Sequence, residues 1–568
     1  MAETNGFAFV SPPGSDPDAR TTKLAQLVAR QIVDDIVKRG WPVNESLGAE
    51  PDLMARYAVS RAVLREAIRL VEHMGMATMR RGPRGGLIVT ASSVSAVTDA
   101  IAIYLETAVV NLDDLAEARV VLEVQATRLA ADRLDTAGTE ALLRVPMEAE
   151  GYSYLETGEQ DLHLAIAQAT GNPVLLLFID ALCRLERRYM TAGWSEERLE
   201  RMHVTTSLAL AQSHRAIADA VISGDGLLAR HRMLTHLEAG ARFVRRHAND
   251  PSEDPEWPSV GSESADPPTN LAAEVSAVSS DGRKLGEVTA ARIRRDIARR
   301  RAPVGTNLGS ESVLLASYGV SRSVLREAVR LLEYHSVARM RRGPGGGLIV
   351  VKSDPEAVIR AVALYLQSVR VDLHSLYEAR DIIELASVAY LVERLEPGAA
   401  DALREVLKGE RDGVVFPADQ GFARLHAAIA ELTGNRILSL FTRILLALTG
   451  IFPADQSDAD QIARRRHHAH ETHEDIVAAI LAGDSALARR RTRVHLWELE
   501  KQQTNPGGQD ARDEHAEGPD EVDEGPGEET SDAESSAISR SFPSPSRPGQ
   551  AGRQVPTDTL NEASALDL

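Results

Sequence analysis

Six of the sixteen histidines in this 568-residue chain form two triads with matched spacing. His163 precedes Thr170-Gly171-Asn172, and His426 precedes Thr433-Gly434-Asn435. His214 leads into Ser223-Gly224-Asp225 with His236 following 22 residues on; His473 leads into Ala482-Gly483-Asp484 with His495 again 22 residues on. Three imidazoles on three helices can converge inside a bundle, where together with a carboxylate they suit Zn²⁺, Ni²⁺ or a similar divalent ion. The plainer alternative is histidines packed or exposed for structural reasons. A second set of residues carries a different chemistry. Arg61, Arg65 and Arg69 recur every four residues and reappear 261 positions later as Arg322, Arg326 and Arg330. Guanidinium groups pair with phosphate and, bidentately, with guanine. On one helix face the stripe suits a polyanion; its plain reading is a solvated face. The run Arg464-Arg465-Arg466-His467-His468-Ala469-His470 has no counterpart in the first half and reads as a solvated basic face.

The elements that must position these residues repeat as well. Thr21 to Arg39 has helical apolar spacing and is ended by Gly40-Trp41-Pro42. Glu50 to Tyr57 makes a short second helix, and Ala58-Val59 a tight turn. Ser60 can cap the third helix, in which Leu64, Ala67, Ile68 and Val71 form an apolar stripe beside the arginines. Ala77 to Val89 reads as two short strands around a basic, Gly-rich tip. Three helices and a hairpin make a winged helix-turn-helix, with the third helix directed at the major groove of double-stranded DNA. Residues 93–247 are Ala- and Leu-rich, with helices expected over Leu112–Arg133, Gln160–Thr170, Pro173–Met190, Glu196–Ser223 and Leu227–His247. After a Pro-, Ser- and acid-rich stretch the programme recurs, with Lys284–Arg301 as first helix and Arg341 to Val350 as wing.

The expected architecture is therefore mainly α. A disordered lead (1–20) precedes a winged helix (21–92) and a helical domain (93–247). A flexible linker (248–282) joins these to a second winged helix (283–353), a second helical domain (354–501) and a disordered acidic tail (502–568). The net charge of −19 hides an uneven distribution. Residues 502–568 hold 15 acids against 4 basic residues, whereas 283–351 hold 14 basic residues against 5 acids and 20–90 hold 12 against 7. Local sign decides what docks where. The one cysteine, Cys183, excludes an intramolecular disulfide and fits a reducing compartment. No apolar run approaches a membrane span, and the N-terminus lacks the marks of a signal peptide, so a cytoplasmic protein without a membrane partner is expected.

Ser-Arg-x-x-Leu-Arg-Glu-Ala followed by a Gly-rich wing ending in Leu-Ile-Val, present twice, resembles the GntR family of transcriptional regulators, specifically the FadR-like subfamily with a helical FCD effector domain. The resemblance covers about residues 21–247 and 284–501. It implies DNA contacts at Ser60, Arg61, Arg65, Arg81 and Gly82, and at Ser321, Arg322, Arg326, Arg342 and Gly343; Arg69 and Arg330 complete the two stripes. The Arg common at the start of the family's second helix is missing from Ala49-Glu50-Pro51-Asp52 and from Ser310-Glu311-Ser312. Many FCD domains bind metal through one Asp and three His, the Asp four residues before the first His. That position is Glu159 here, which would complete a site with His163, His214 and His236, while Asp161, two residues from His163, would point elsewhere on a helix. In the second half it is Phe422, leaving His426, His473 and His495 alone. A divalent metal is thus expected mainly in the first helical domain, and sensing with it.

Glu117, Arg119 and Glu123 are matched by Glu378, Arg380 and Glu384. Arg119 and Arg380 either face the bundle cavity, as effector-binding groups beside a carboxylate ligand, or form i,i+4 surface pairs. The leading expectation is a regulator reading an imperfect palindromic operator under control of a small-molecule effector such as an organic or fatty acid. It would act as a pseudo-dimer within one chain or as a homodimer. A 35-residue coil spans roughly 30–35 Å, about one turn of DNA, so both arrangements are reachable. An architectural DNA binder that senses nothing is the competing reading. A metal-dependent enzyme is disfavoured because no HExxH, nucleophile motif or phosphate-cradling loop occurs.

Overall fold

A computed structural model describes residues 17–145, 158–191, 211–248, 285–412, 423–449 and 459–504, less positions 81, 83, 84, 92, 93, 109, 301, 342, 344 and 345. Most of the expected lead, the linker and nearly all of the tail lie outside these residues, as do Arg81, Arg342 and Phe422.

The first winged helix comprises α1 (Pro17–Lys38), α2 (Glu50–Tyr57), α3 (Arg61–His73), β1 (Ala77–Arg80) and β2 (Gly86–Val89). Ser60 caps α3 by accepting from the Val63 amide, and Leu64, Ala67, Ile68 and Val71 face a core shared with Ile32, Ile36, Leu53 and Leu87. The strands pair antiparallel, Ala77 with Val89 through Arg80 with Gly86. At Gly86, φ is +142° and a Cβ would meet the Gly48 carbonyl at 2.7 Å, so only glycine lets the wing base lie on the chain entering α2. The tie is completed by Leu47 N–H to Leu87 C=O and Leu87 N–H to Gly48 C=O, at 2.8 and 3.0 Å.

The second winged helix repeats this with α11 (Leu285–Arg299), α12 (Glu311–Tyr318), α13 (Arg322–Tyr334), β3 (Ala338–Arg341) and β4 (Gly347–Val350). One difference has an energetic consequence. The left-handed cap of α12 is Gly319 (φ +62°), but its counterpart on α2 is Ala58 (φ +51°). A Cβ there is strained, at a cost on the order of 1 kcal/mol. Ala58→Gly is expected to stabilise the first winged helix by up to about 1 kcal/mol in denaturant unfolding. A loss of stability would show that the turn tolerates alanine without strain.

The first helical domain holds α4 (Val94–Thr107), α5 (Leu112–Arg133), α6 (Thr136–Arg144), α7 (Gly158–Ala169), α8 (Pro173–Thr191), α9 (211–222) and α10 (Gly226–Ala248). The second holds α14 (Pro355–Ser368), α15 (Leu373–Glu393), α16 (Ala399–Arg411), α17 (Ala423–Leu432), α18 (Arg436–Thr449), α19 (Ala459–Leu481) and α20 (Ser485–Thr504). Helices α4 and α6 escape the sequence pattern. The part of the expected Glu196–Ser223 helix before residue 211 lies outside the described residues.

The two halves pack against each other through equivalent residues. Phe178 and Phe441, from α8 and α18, are fully buried and stack with centroids 3.9 Å apart and planes 4° apart. Such self-pairing of equivalent positions marks a local two-fold axis. On one side of it Arg133 binds Glu378 (3.1 Å for Nη1 to Oε2); on the other Arg394 binds Glu117 (2.6 and 3.1 Å). Asn172 caps α8 with its Oδ1 while its Nδ2 donates across to the Ser375 carbonyl at 2.9 Å; Asn435 caps α18 and donates to the Asp114 carbonyl at 3.0 Å. The Thr-Gly-Asn motif is thus the latch between halves. Glu117 and Glu378 belong to this interface, not to pairs on their own helices.

Helices α4 and α14 exchange sides. Ile103 of α4 enters the core of the second winged helix, and Leu364 of α14 packs on that of the first. Arg184 and Arg188 of α8 bind Asp99 (3.7 and 2.9 Å), Arg188 also binds Glu106 at 3.2 Å, and Glu106 lies 3.8 Å from buried Arg294 of α11. Burial brings Arg294 down to about 10 despite Glu106. The positions equivalent to Asp99 and Glu106 in α14 are Arg360 and Gln367, so this charged chain has no copy there.

Candidate DNA-reading helices and histidine centres

Both arginine stripes lie on exposed faces. Arg61 and Arg65 are 62% and 59% exposed and lean on Glu50, at 3.6 and 2.8 Å. Arg65 and Arg61 hold the Glu50 carboxyl below its usual range through hydrogen bonding and charge, outweighing a desolvation penalty. Arg326 is 68% exposed and lies 3.9 Å from Glu311. Ser60 and Arg322 are exposed as well. Ser321 caps α13 through the Val324 amide as Ser60 caps α3. At the wing tips, Gly82 and Gly343 take φ of +115° and +95°. Arg69 and Arg330 are placed differently: Arg330 Nε lies 2.9 Å from Glu66 of the other winged helix, and Arg69 lies 3.7 Å from the same carboxylate.

The histidine triads converge inside the bundles. His163, His214 and His236 are buried, each offering a ring nitrogen within 4.8 Å of the others, and so are His426, His473 and His495. In the second triad the His473–His495 and His495–His426 Nε2 atoms are 3.1 and 3.3 Å apart; in the first, those of His214 and His236 are 3.4 Å apart. His163 Nδ1 bonds the Glu123 carboxylate, leaving its buried Nε2 with no hydrogen-bond partner. His426 Nδ1 bonds Glu384 at 2.5 Å, His473 Nδ1 bonds Glu410 at 3.0 Å, and His236 Nδ1 meets Ser213 Oγ at 3.1 Å.

The charge pattern follows from burial and pairing. Desolvation alone would raise Glu123 and Glu384, but Arg119 with His163, and Arg380 with His426, bring each down to about 2. Burial, assisted by the neighbouring imidazoles and by Arg119 or Arg380, pushes His214 down to about 2 and His236 and His495 well below the ordinary range. Three imidazoles offering ring nitrogens to one spot, with His163, His426 and His473 anchored through Nδ1 on a carboxylate, are a donor set that suits a divalent metal. Arg119 is buried, bound to Glu123 (2.6 Å) and Glu186. Arg380 is buried, bound to Glu384 (2.6 Å) and lying 5.0 Å from the Tyr377 ring centre. Neither is a surface pair.

The carboxylates behind the imidazoles, Glu123 and Glu384, recur at equivalent positions and so were visible as a repeat; Glu186 and Glu410 have no such signal. The side chains of Glu159, Asp161 and Arg464 to Arg466 lie outside the described residues; His467 and His468 are exposed, but Ala469 is buried and His470 turns inward, 3.5 Å from Glu410, so the run is not solvated throughout.

A winged helix joined to an all-helical domain is the arrangement of a DNA-binding transcriptional regulator. Residues 24–86 and 285–347 match the model of bacterial regulatory proteins of the gntR family, and residues 114–239 and 375–497 match the FCD domain. The Uxu operon transcriptional regulator of Escherichia coli is 31% identical over 229 residues, covering 38% of this chain and 83% of that protein. The putative L-lactate dehydrogenase operon regulatory protein of Escherichia coli is 28% identical over 224 residues, covering 38% and 84%. The HTH-type transcriptional regulator LutR of Bacillus subtilis is 27% identical over 209 residues, covering 34% and 90%. The chain belongs to the GntR family, carrying its reading and FCD domains twice in tandem. Among the described residues no helix is long and apolar enough to cross a membrane.

Proposed function

We propose that this chain is a self-paired transcriptional regulator: one molecule presents two non-identical winged helices to an imperfect palindrome, and its helical domains tune that binding in response to a small organic or fatty acid and a divalent metal. The observation that carries the reading is the duplicated arrangement itself, two capped arginine helices in one body with two histidine centres. The latch at Asn172 and Asn435, with Arg133–Glu378 and Arg394–Glu117, favours a pseudo-dimer within the chain over a homodimer. Mass in solution on operator DNA tests this: one chain per operator is expected, and two chains would overturn it.

His163, His214 and His236 would hold one ion, and His426, His473 and His495 a second. When bound, the ion supplies a coordination position that an effector's carboxylate or hydroxyl oxygen can take. Arg119 and Arg380 fix Glu123 and Glu384, which orient His163 and His426, and they place positive charge beside an anionic effector. Both triads are equally convergent, so the reading departs from the expectation that sensing lies mainly in the first half. Elemental analysis of dialysed, Zn²⁺-loaded protein is expected to find two equivalents, falling by one in His214→Ala and by one in His473→Ala. Absence of bound metal in the unaltered protein would remove both sites.

A further inference from the structure

We infer that Glu66 and Arg330 form a cross-head ion pair that sets the permitted spacing between the two half-sites, so that Arg330 is a spacing determinant and not a DNA contact. The inference rests on the DNA-reading proposal above. Glu66 lies in the middle of α3, and Arg330 lies one turn beyond the equivalent position of α13, so the 2.9 Å contact joins one reading helix directly to the other. Glu66 is only 18% exposed on its side chain and also receives Arg69 at 3.7 Å. The contact is one-sided. Its two-fold equivalent would join Arg69 to Glu327, but Arg69 turns to Glu66. Glu327 instead lies over α11, where a Cβ on Gly286 would meet its Cγ at 2.6 Å. The two reading helices are therefore held through positions one turn out of equivalence, which places the two arginine faces in an unequal register.

DNA makes register expensive. One added base pair moves a half-site about 3.4 Å along the duplex and about 35° around it. Two heads tied within ion-pair distance cannot follow that displacement unless the tie is broken. A partly exposed pair contributes modestly, so its removal relaxes the spacing rule by roughly three-fold and does not abolish it.

The two partners carry opposite charges, and this separates the inference from a simple phosphate contact. DNA selected from a random library by the full-length protein is altered by one base pair more or less between half-sites, and affinities are measured by fluorescence anisotropy. In Glu66→Gln and in Arg330→Gln the penalty for altered spacing is expected to fall about three-fold, although affinity for the parent DNA rises in the first and falls in the second. The doubly exchanged protein, Glu66→Arg with Arg330→Glu, regains the spacing penalty. Thermal melting confirms that each variant is folded. An unchanged spacing profile in Glu66→Gln overturns the inference. So does a uniform loss across all spacings in Arg330→Gln with a salt slope reduced by about one, the mark of a lost phosphate contact. If the unaltered protein enriches no sequence, the DNA-reading proposal falls and this inference with it.

Discussion

Replacing Arg65 and Arg326 together by alanine is expected to eliminate specific DNA binding while leaving the fold intact. Each guanidinium stands on the second turn of a capped helix, mostly in solvent, with Glu50 or Glu311 as its protein partner. A bidentate arginine–guanine contact contributes about 1–3 kcal/mol of discrimination, so losing two lowers affinity by roughly 30-fold to 10⁴-fold. Stability should change by no more than about 0.5 kcal/mol, because neither side chain fills the core. Gel shift reads the first quantity and thermal unfolding the second. Undiminished affinity in a folded double variant would show that α3 and α13 are not the reading elements. The single variants should differ: Arg65 is already oriented by Glu50 at 2.8 Å, whereas Arg326 sits more loosely at 3.9 Å from Glu311.

The other large effect is expected at the two-fold axis. Phe178→Ala and Phe441→Ala each remove a fully buried ring, at a typical cost of about 3–5 kcal/mol. The rings touch, so the double variant should cost less than twice the single one. Loss of the stack also separates the halves, and denaturant unfolding should broaden or split into two phases as each half unfolds alone. DNA affinity should fall in parallel, because the exchanged helices α4 and α14 place each winged helix on the opposite half. A cost below about 1 kcal/mol in the double variant would mean that the stack contributes little to joining the halves.

What could be read from the residue order was chiefly local. Ser60 before an apolar stripe, with Arg61 and Arg65 on another face, dictates a capped amphipathic helix without reference to the rest of the chain, and the wing strands follow from the glycines around Gly82 to Gly86. The triads were legible because a 22-residue interval occurs twice. What escaped was pairing over long separations. Glu117 stands two residues from Arg119, yet its partners are Arg394 and Asn435, 277 and 318 positions away. Glu186 and Glu410 act only where α8 meets α5 and α16 meets α19, and nothing in their neighbourhood announces it. The choice between a cavity and a surface for Arg119 could not be made from its i,i+4 neighbour alone, since Glu123 is at once that neighbour and the anchor of His163. Helix α4 was missed because its apolar residues, Val97, Ile101, Ile103 and Leu105 among them, spread over more than one face and leave only a narrow polar one at Ser95, Asp99 and Glu106; it serves two domains.

Joining both halves through the Asn172 and Asn435 latch has a consequence for titration in the cell. A regulator assembled from separate subunits comes apart on dilution, and its occupancy of DNA falls with the square of protein concentration once the monomer dominates. Here the partner is tethered, its effective concentration is fixed by chain length, and occupancy should scale with the first power. If one chain reads the operator alone, as proposed, such a molecule remains a competent reader at a handful of copies. Tethering also lets each half drift alone: Ala58 against Gly319, Pro51 against Ser312 and Asp99 against Arg360 are differences that no molecule built from two identical chains could hold.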